Sequence, residues 1–493
     1  MAEATKQKKK RGMPTSFTIL LGCLIFVAIC TWIVAAFTPD VTGATLAQVM
    51  QAPFSGFKNA IDVCLFVIVL GGFLAMVNKT GALDTGIAAL VRALGDRDTL
   101  LIPVLMIAFG ICGSTYGMME ETIPFYILLA SVTFAMGFDS MVGALIVLLG
   151  AGLGTLGSTV NPFSIAIASS ALTDMGIAVN QGTLIGVGFL LFVISEAMGI
   201  AFVMRYAKRV KADRAASAMT SEELANMDAA YADETKMLED EQASSLKNAV
   251  LSGKQKFVLA LFALSFLVMI VSFIPWESFG ITFFAIGGTA DDPSTAWSAI
   301  LTGLPLGQWY FTECGIWFFV ISIVIGIVGG LSEKEIVNTF IDGCSTMIST
   351  ALVIAVARAI SVLMSETGLD VFVLNAAADA LRGVSAVVFA PASYALYFVL
   401  SFLIPSSSGM ATVSMPIMGP LADNLGFSPD IMIMIYVAAH GVVAMITPTN
   451  GVIVSGLELA HTSYTSFLKL TLKFFVALTL VTAVVLTVLM LVM

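Results

Sequence analysis

Apolar stretches close to the length of a bilayer core recur along the whole chain, at 16 to 37, 60 to 77, 182 to 204, 257 to 275, 314 to 331 and 466 to 491. A helix of about 20 apolar residues crosses the ~30 Å hydrocarbon layer. Inside that layer no water relieves an unpaired backbone N–H or C=O, so each crossing must satisfy its own backbone. The chain therefore reads as an all-α membrane protein. One signal peptide or anchor would not leave so many runs.

Of the 493 residues, 58% are hydrophobic and 11% charged, against about 25% charged in an ordinary soluble domain. The net charge of −10 is gathered largely between Glu222 and Glu241, so it characterises one loop, and no nucleic-acid partner is expected. Cys23, Cys30, Cys64, Cys112, Cys314 and Cys344 show neither a CxxC pair nor metal-ligand spacing and read as small core residues.

Basic residues cluster at Lys6 to Arg11, at Lys79, Arg92 and Arg97, at Arg205 to Arg214 with Lys247, Lys254 and Lys256, and at Lys469 with Lys473. The stretches 38 to 56, 173 to 183 and 276 to 313 have no Lys or Arg. Positive charge favours the cytoplasmic side. This predicts a multi-pass protein of the cytoplasmic (inner) membrane with its N-terminus inside and its C-terminus outside. The expected division is a basic N-terminus 1–15, a first membrane repeat 16–208, a cytoplasmic acidic linker 209–254, a linking transmembrane helix 255–276, an external loop 277–313 and a second repeat 314–493.

Two segments depart from simple spans. Between Thr99 and Phe138 the apolar chain is interrupted at Gly113 to Gly117, leaving a first arm too short to cross, which predicts a re-entrant hairpin. Exposed backbone at that depth is tolerable where it lines a cavity. The next run, from Met141, breaks at Gly157 to Pro162, where proline removes a donor and disfavours helix at Asn161. The same order returns as a hairpin tip at Pro405 to Gly409 and a run from Pro429 that breaks at Thr447 to Gly451. With three residues of gap, Gly117-Met118 aligns with Gly409-Met410, Pro124 with Pro416, Gly137-Phe138 with Gly426-Phe427, and Asn161 with Asn450. Lys79-Thr80-Gly81 likewise aligns with Glu366-Thr367-Gly368. Counting crossings starts the copies on opposite sides, so the expectation is two inverted repeats, each with a re-entrant hairpin and a discontinuous helix. That arrangement is the mark of secondary transporters, with the site at the midplane where the breaks converge.

The run at 117 to 122 (GMMEET), the run at 157 to 163 (GSTVNPF), 357 to 361 (ARAIS) and 447 to 451 (TPTNG) resemble those of the YfcC-like carriers over nearly the whole chain apart from 215 to 250. These carriers belong to the ion transporter superfamily and are grouped with anaerobic four-carbon dicarboxylate carriers and arginine/ornithine antiporters. The resemblance implies a homodimer with a fixed scaffold and a transport part that moves as an elevator. The carboxylate carriers of that superfamily have Ser-Asn-Thr at their hairpin tips, where this chain has Ser-Thr-Tyr and Ser-Ser-Ser.

Ser114, Thr115, Ser406, Ser407 and Ser408 offer hydroxyls beside expected helix N-termini, whose free N–H groups suit a substrate carboxylate, or else they cap those helices. Asn161 and Asn450, with Ser158, Thr159, Thr447 and Thr449, bring oxygens to both breaks, suited to sodium or to the backbone groups that Pro162 and Pro448 free. Residues without a counterpart in the other repeat should carry specificity. Glu120 and Glu121 fall opposite Thr412 and Val413, and Arg358 falls opposite Gly71. Ionisable groups at membrane depth face cavities or partners. Arg358 would serve a carboxylate and one glutamate an amine, a guanidinium or a proton, or the two would form an internal ion pair. Asp62 and Glu196 read as interhelical hydrogen-bonding groups, and His440, Glu458 and His461 as candidate proton relays.

No GxxxxGK[ST], HExxH or GxSxG run is present, which argues against an ATP-driven pump and against an enzyme. The sequence reading favours a basic amino acid antiporter needing no cofactor beyond sodium or proton coupling. A four-carbon dicarboxylate symporter ranks second, and a passive channel or intramembrane enzyme lies further off.

Overall fold

The computed structural model describes residues 16–83, 85, 86, 89, 99–231, 251–274, 276–289 and 292–493. The basic residues Lys6 to Arg11, Arg92, Arg97 and Lys247, and the acidic linker from Ala232 to Val250, lie outside them. The described residues are helical with no strand. In the first half run α1 (Ser16–Ala35), α2 (Leu46–Asn59), α3 (Ile61–Lys79), α4 (Leu101–Tyr116), α5 (Ile123–Ala135), α6 (Ser140–Leu156), α7 (Ile167–Thr173), α8 (Gln181–Ala212) and α9 (Ser221–Ala230). After α10 (Gly253–Phe273) follow α11 (Phe311–Gly329), α12 (Glu333–Thr346), α13 (Ile348–Thr367), α14 (Leu369–Ala380), α15 (Ala386–Leu403), α16 (Ser407–Asn424), α17 (Pro429–Ala444), α18 (Gly451–Leu459) and α19 (Tyr464–Val492).

Among the described residues seven helical stretches are long and apolar enough to cross a membrane. Five contain or overlap expected runs: Ile61–Lys79, Gln181–Ala212, Gly253–Phe273, Phe311–Gly329 and Tyr464–Val492. Glu333–Thr367 and Ala386–Leu403 are additional. Helix starts follow local chemistry. Ser252 and Ser332 close capping boxes with Gln255 and Glu335, and the Asp139 carboxylate accepts from Val142 N at 3.1 Å to open α6.

Both halves are built around a buried helix. All of α6 is buried, and α4 and α5 pack on it; α17 is buried from Asp430 to Ala444, and α15 and α16 pack on it. The helices α6 and α17 touch each other. Away from this body α2 lies across α13 and α12 lies across α3. A Cβ on Gly56 would stand 2.4 Å from Ala355 O, and one on Gly343 would stand 2.5 Å from Gly71 O. Only glycine permits either crossing, and the two glycines hold matching places in the aligned halves.

The first hairpin corrects the sequence reading. The helix α4 does not break at Gly113 but runs on through Tyr116, and the chain leaves it at Gly117, whose φ is +79°. Gly113 serves contact instead, because a Cβ there would lie 2.1 Å from Ala151 O on α6. A short 3-10 turn, Glu120–Thr122, then leads into α5. The second tip falls where expected, between Leu403 and Ser407. The breaks also fall as expected. A π turn, Pro162–Ala166, joins Asn161 to α7, and residues 445–450 separate α17 from α18.

The connector after α8 is docked rather than loose up to Tyr231. Asp139 accepts from Tyr206 Oη and Ser217 Oγ, each at 2.6 Å, and Arg214 pairs with Asp228. Glu223 accepts from Ser463 N at 2.6 Å and Ser466 Oγ at 2.8 Å, so α9 caps the start of α19. Burial alone would raise the Glu223 carboxyl, but the hydrogen bonds from Ser463, Thr220 and Ser466 hold it below its ordinary 4.5. All six cysteines are free thiols.

Candidate functional site

A cavity of about 620 Å³ opens where the two hairpin tips meet the two breaks. Its wall takes Gly117 and Met119 to Glu121 from the first tip, Pro405 to Ser408 from the second, Asn161 and Phe163 from one break, and Thr449 to Val452 from the other. One side is closed by Arg358 and its neighbours on α13. Thr42 N donates to Thr367 O at 3.0 Å, so the rim at Ser365 and Glu366 adjoins the loop before α2.

The paired glutamates separate by geometry. Glu121 is buried and its carboxylate accepts from Met119 N at 3.1 Å, which folds it back onto the turn. Glu120 is half-buried on the cavity wall and accepts no hydrogen bond from another residue among those described. Arg358, also half-buried on that wall, has neither ion pair nor hydrogen bond among the described residues. An internal Arg358–glutamate ion pair, one of the two sequence alternatives, is therefore not formed.

At the second tip the Ser406 hydroxyl accepts from Gly409 N at 3.2 Å and lies 3.2 Å from Ser408 Oγ. The first N–H groups of α16, on Ser407 and Ser408, have no intrahelical partner. Both residues stand on the cavity wall. Their helix end carries partial positive charge.

The asparagines close the breaks. Asn161 Oδ1 accepts from Phe163 N at 2.9 Å and its Nδ2 donates to Ser158 Oγ at 3.0 Å. Asn450 Oδ1 accepts from Val452 N at 3.1 Å and its Nδ2 donates to Ala444 O at 2.9 Å. Each break is also tied to the first arm of its own hairpin. Thr159 N donates to Ser114 O at 2.8 Å, and Thr449 Oγ1 donates to Phe402 O at 2.9 Å.

Of the residues singled out in the sequence, Glu120, Glu121, Asn161, Arg358, Ser406, Ser407, Ser408, Thr449 and Asn450 share this wall, whereas Ser114, Thr115, Ser158, Thr159 and Thr447 stand behind it. Because α4 continues through Tyr116, Ser114 and Thr115 sit in the last turn of a helix rather than at an N-terminus. Their hydroxyls donate to Gly157 O and Ile111 O, each at 2.7 Å. Ser158 Oγ donates to Thr155 O at 2.7 Å, and Thr447 Oγ1 lies 2.6 Å from Thr449 Oγ1.

Several residues on the wall were read otherwise or passed over. Asp62 is exposed to the cavity and makes no interhelical hydrogen bond among the described residues. Glu366, Tyr310 and Phe163 join it. The alignment of Glu366 with Lys79 was a signal, because it marked a charge that differs between the repeats. His440 also reaches the wall, with Nδ1 3.2 Å from Ser401 Oγ. Glu458 and His461 are exposed and away from it. Glu196 is buried beside Gly110, and among the described residues neither oxygen has a hydrogen-bond partner, so the expected interhelical bond is not seen there.

Several helices long and apolar enough to cross a membrane surround this cavity, and the family that the chain matches is one of membrane transporters rather than enzymes. The chain belongs to the C4-dicarboxylate anaerobic carrier (DcuC) family, whose profile matches residues 41–492. It is 28% identical over 445 residues to an uncharacterized protein of Haemophilus influenzae, covering 90% of this chain and 78% of that one. It is 25% identical over 445 residues to the "Putative basic amino acid antiporter YfcC" of Escherichia coli K12, covering 87% and 78%. Among solved structures it is similar to the YdaH transporter of Alcanivorax borkumensis, with 16% identity, 96% and 98% coverage and a TM-score of 0.44. It is also similar to MtrF of Neisseria gonorrhoeae, described among antimetabolite efflux pumps, with 16% identity, 97% and 95% coverage and a TM-score of 0.43.

Proposed function

We propose that this transporter exchanges basic amino acids of the arginine and ornithine type across the cytoplasmic membrane. The observation that carries the reading is the charge on the cavity wall: Asp62, Glu120, Glu121 and Glu366 supply carboxyl groups against the single guanidinium of Arg358. A basic amino acid carries one carboxylate and two cationic groups, and this wall matches that excess. Arg358 and the α16 N-terminus take the carboxylate. Glu120, unpaired and facing the space, takes the side-chain cation, while Glu121 holds the turn. The volume lies within the ~300–1,000 Å³ range of small-molecule sites.

The name of the E. coli relative supports this reading, and the family description supports a second, a four-carbon dicarboxylate carrier. A dianion would bring a second negative charge to an acidic wall. Two like charges 4 Å apart repel by about 4 kcal/mol at an effective dielectric of ~20.

The recurring packing supports two inverted repeats with re-entrant hairpins, and through them an elevator in which the body around α6 and α17 moves against a scaffold that includes α3 and α13. The orientation set by the basic clusters, with the N-terminus inside, and a homodimer complete the proposal. The oxygens of Ser158, Thr159, Asn161, Thr447, Thr449 and Asn450 remain the proposed sodium ligands should the exchange prove sodium-dependent.

The test uses vesicles loaded with ornithine or succinate and follows labelled arginine or succinate entry with and without a sodium gradient. Arginine entry that requires internal ornithine is the expected result. Sodium-driven succinate entry with arginine inert would overturn the substrate and make the asparagines at the breaks the ion sites to examine.

A further inference from the structure

The aromatic rings on the cavity wall are distributed unequally. Phe163, Tyr310 and Phe311 stand on the side of Glu120, whereas the second tip and its break present Pro405, serines, Thr449, Asn450 and Val452 with no Phe, Tyr or Trp. Phe163 and Tyr310 meet edge to face at 5.0 Å, and Tyr310 and Phe311 meet at 5.7 Å and 87°. Phe273 and Phe66 back this group at 6.2 Å and 5.6 Å from Phe311, so the rings are held by packing. Tyr310 itself is 47% exposed and lines the cavity together with Glu120 and Arg358. Its N–H donates to Glu313 at 2.7 Å, fixing the residue at the start of α11.

We propose that Tyr310, supported by Phe163, is a specificity-determining residue whose ring receives the flat face of a guanidinium while Glu120 accepts its N–H groups. The inference rests on the basic amino acid reading and goes beyond it by ranking the substrates. A guanidinium is planar, weakly hydrated and stacks on aromatic faces, whereas an ammonium is a compact, strongly hydrated charge. An aromatic ring beside the carboxylate therefore favours arginine over ornithine and lysine, and a carboxylate alone would not. The two rings also come from different parts of the fold, Phe163 from the first break and Tyr310 from the chain entering α11, so a bound guanidinium would bridge them.

The experiment measures apparent KM for arginine and for ornithine in ornithine-loaded vesicles with the wild type, Tyr310→Phe and Tyr310→Leu. Tyr310→Leu should raise the arginine KM roughly tenfold while moving ornithine by less than about threefold, and Tyr310→Phe should keep the wild-type ratio. Equal shifts for both substrates, or a Phe variant that behaves like Leu, would overturn the proposal. Should Tyr310→Leu fail to give a monodisperse protein, Phe163→Leu must show the same split. Exchange of arginine and ornithine with a ratio insensitive to these variants refutes the ring but leaves the exchanger. No exchange of either by the wild type refutes both.

Discussion

At the scale of single residues, adjacent and similar side chains divide their work. Glu120 and Glu121 are neighbours in sequence, yet one is tied to Met119 N and the other faces the cavity unpaired. Glu120→Gln should weaken arginine binding by about 1.5–3 kcal/mol, the worth of a hydrogen bond to a charged group, with little change in thermal stability. Glu121→Gln should reverse the pattern, lowering the melting midpoint more than the affinity, because it weakens the acceptor that shapes the turn. Binding and melting curves on both variants check this. The unusual charges were legible in the sequence because an ionisable residue inside an apolar run stands out. Asp62 was legible as a charge but not as a cavity residue, since one sequence does not tell which face of α3 meets the opening. Tyr310 was invisible for another reason, because an aromatic at a span boundary looks like any interfacial anchor, and Phe163 was legible only as part of a break.

At the scale of elements, glycine and capping decide the packing. Sequence reading placed the first interruption at Gly113 to Gly117, whereas the helix ends only at the last of these and Gly113 is a contact point. Helix-breaking and close approach favour the same residue type, and only the neighbour, here Ala151 O, distinguishes them. Gly113→Ala should cost about 1–3 kcal/mol by overpacking α4 against α6, seen as a lower melting midpoint in detergent. At the second tip, read as Pro405 to Gly409, Ser406 caps a helix that already begins at Ser407, so the turn is shorter than the sequence suggested. The connector helix α9 makes a separate prediction. Glu223→Ala removes the acceptor for Ser463 N and should cost about 1 kcal/mol at neutral pH. Because its folded carboxyl titrates below the ordinary 4.5, that contribution is complete above pH 4.5 and fades as pH falls through the lowered value. A melting series from pH 7 to pH 3.5 should show wild type and Glu223→Ala converging at the acid end.

At the scale of the whole molecule, α4 and α5 pack on α6 and α15 and α16 pack on α17, in the segments that the alignment of the two halves paired. The alignment could mark spans and breaks because a span needs some 20 apolar residues and a break needs proline, glycine and small polar residues, both of which survive as composition. It could not anticipate the aromatic seam that joins the first hairpin to α10. There Tyr116 stacks on Phe273 at 5.3 Å and Phe125 lies 4.8 Å from Phe266. If the body moves as proposed, that seam must part. In a variant lacking the six native cysteines, cross-linking Tyr116→Cys to Phe273→Cys should abolish exchange while preserving arginine binding, and reduction should restore it.

Under the proposed function the acidic wall of the cavity selects a cation. Titration calorimetry of the purified protein with arginine and with succinate, on the wild type and Glu120→Gln, tests that claim most directly. Arginine should bind the wild type and lose roughly ten- to hundredfold in affinity on Glu120→Gln, with succinate silent in both. Succinate binding that tightens when Glu120 is neutralised, with arginine silent, would show that the cavity selects an anion and would contradict the account.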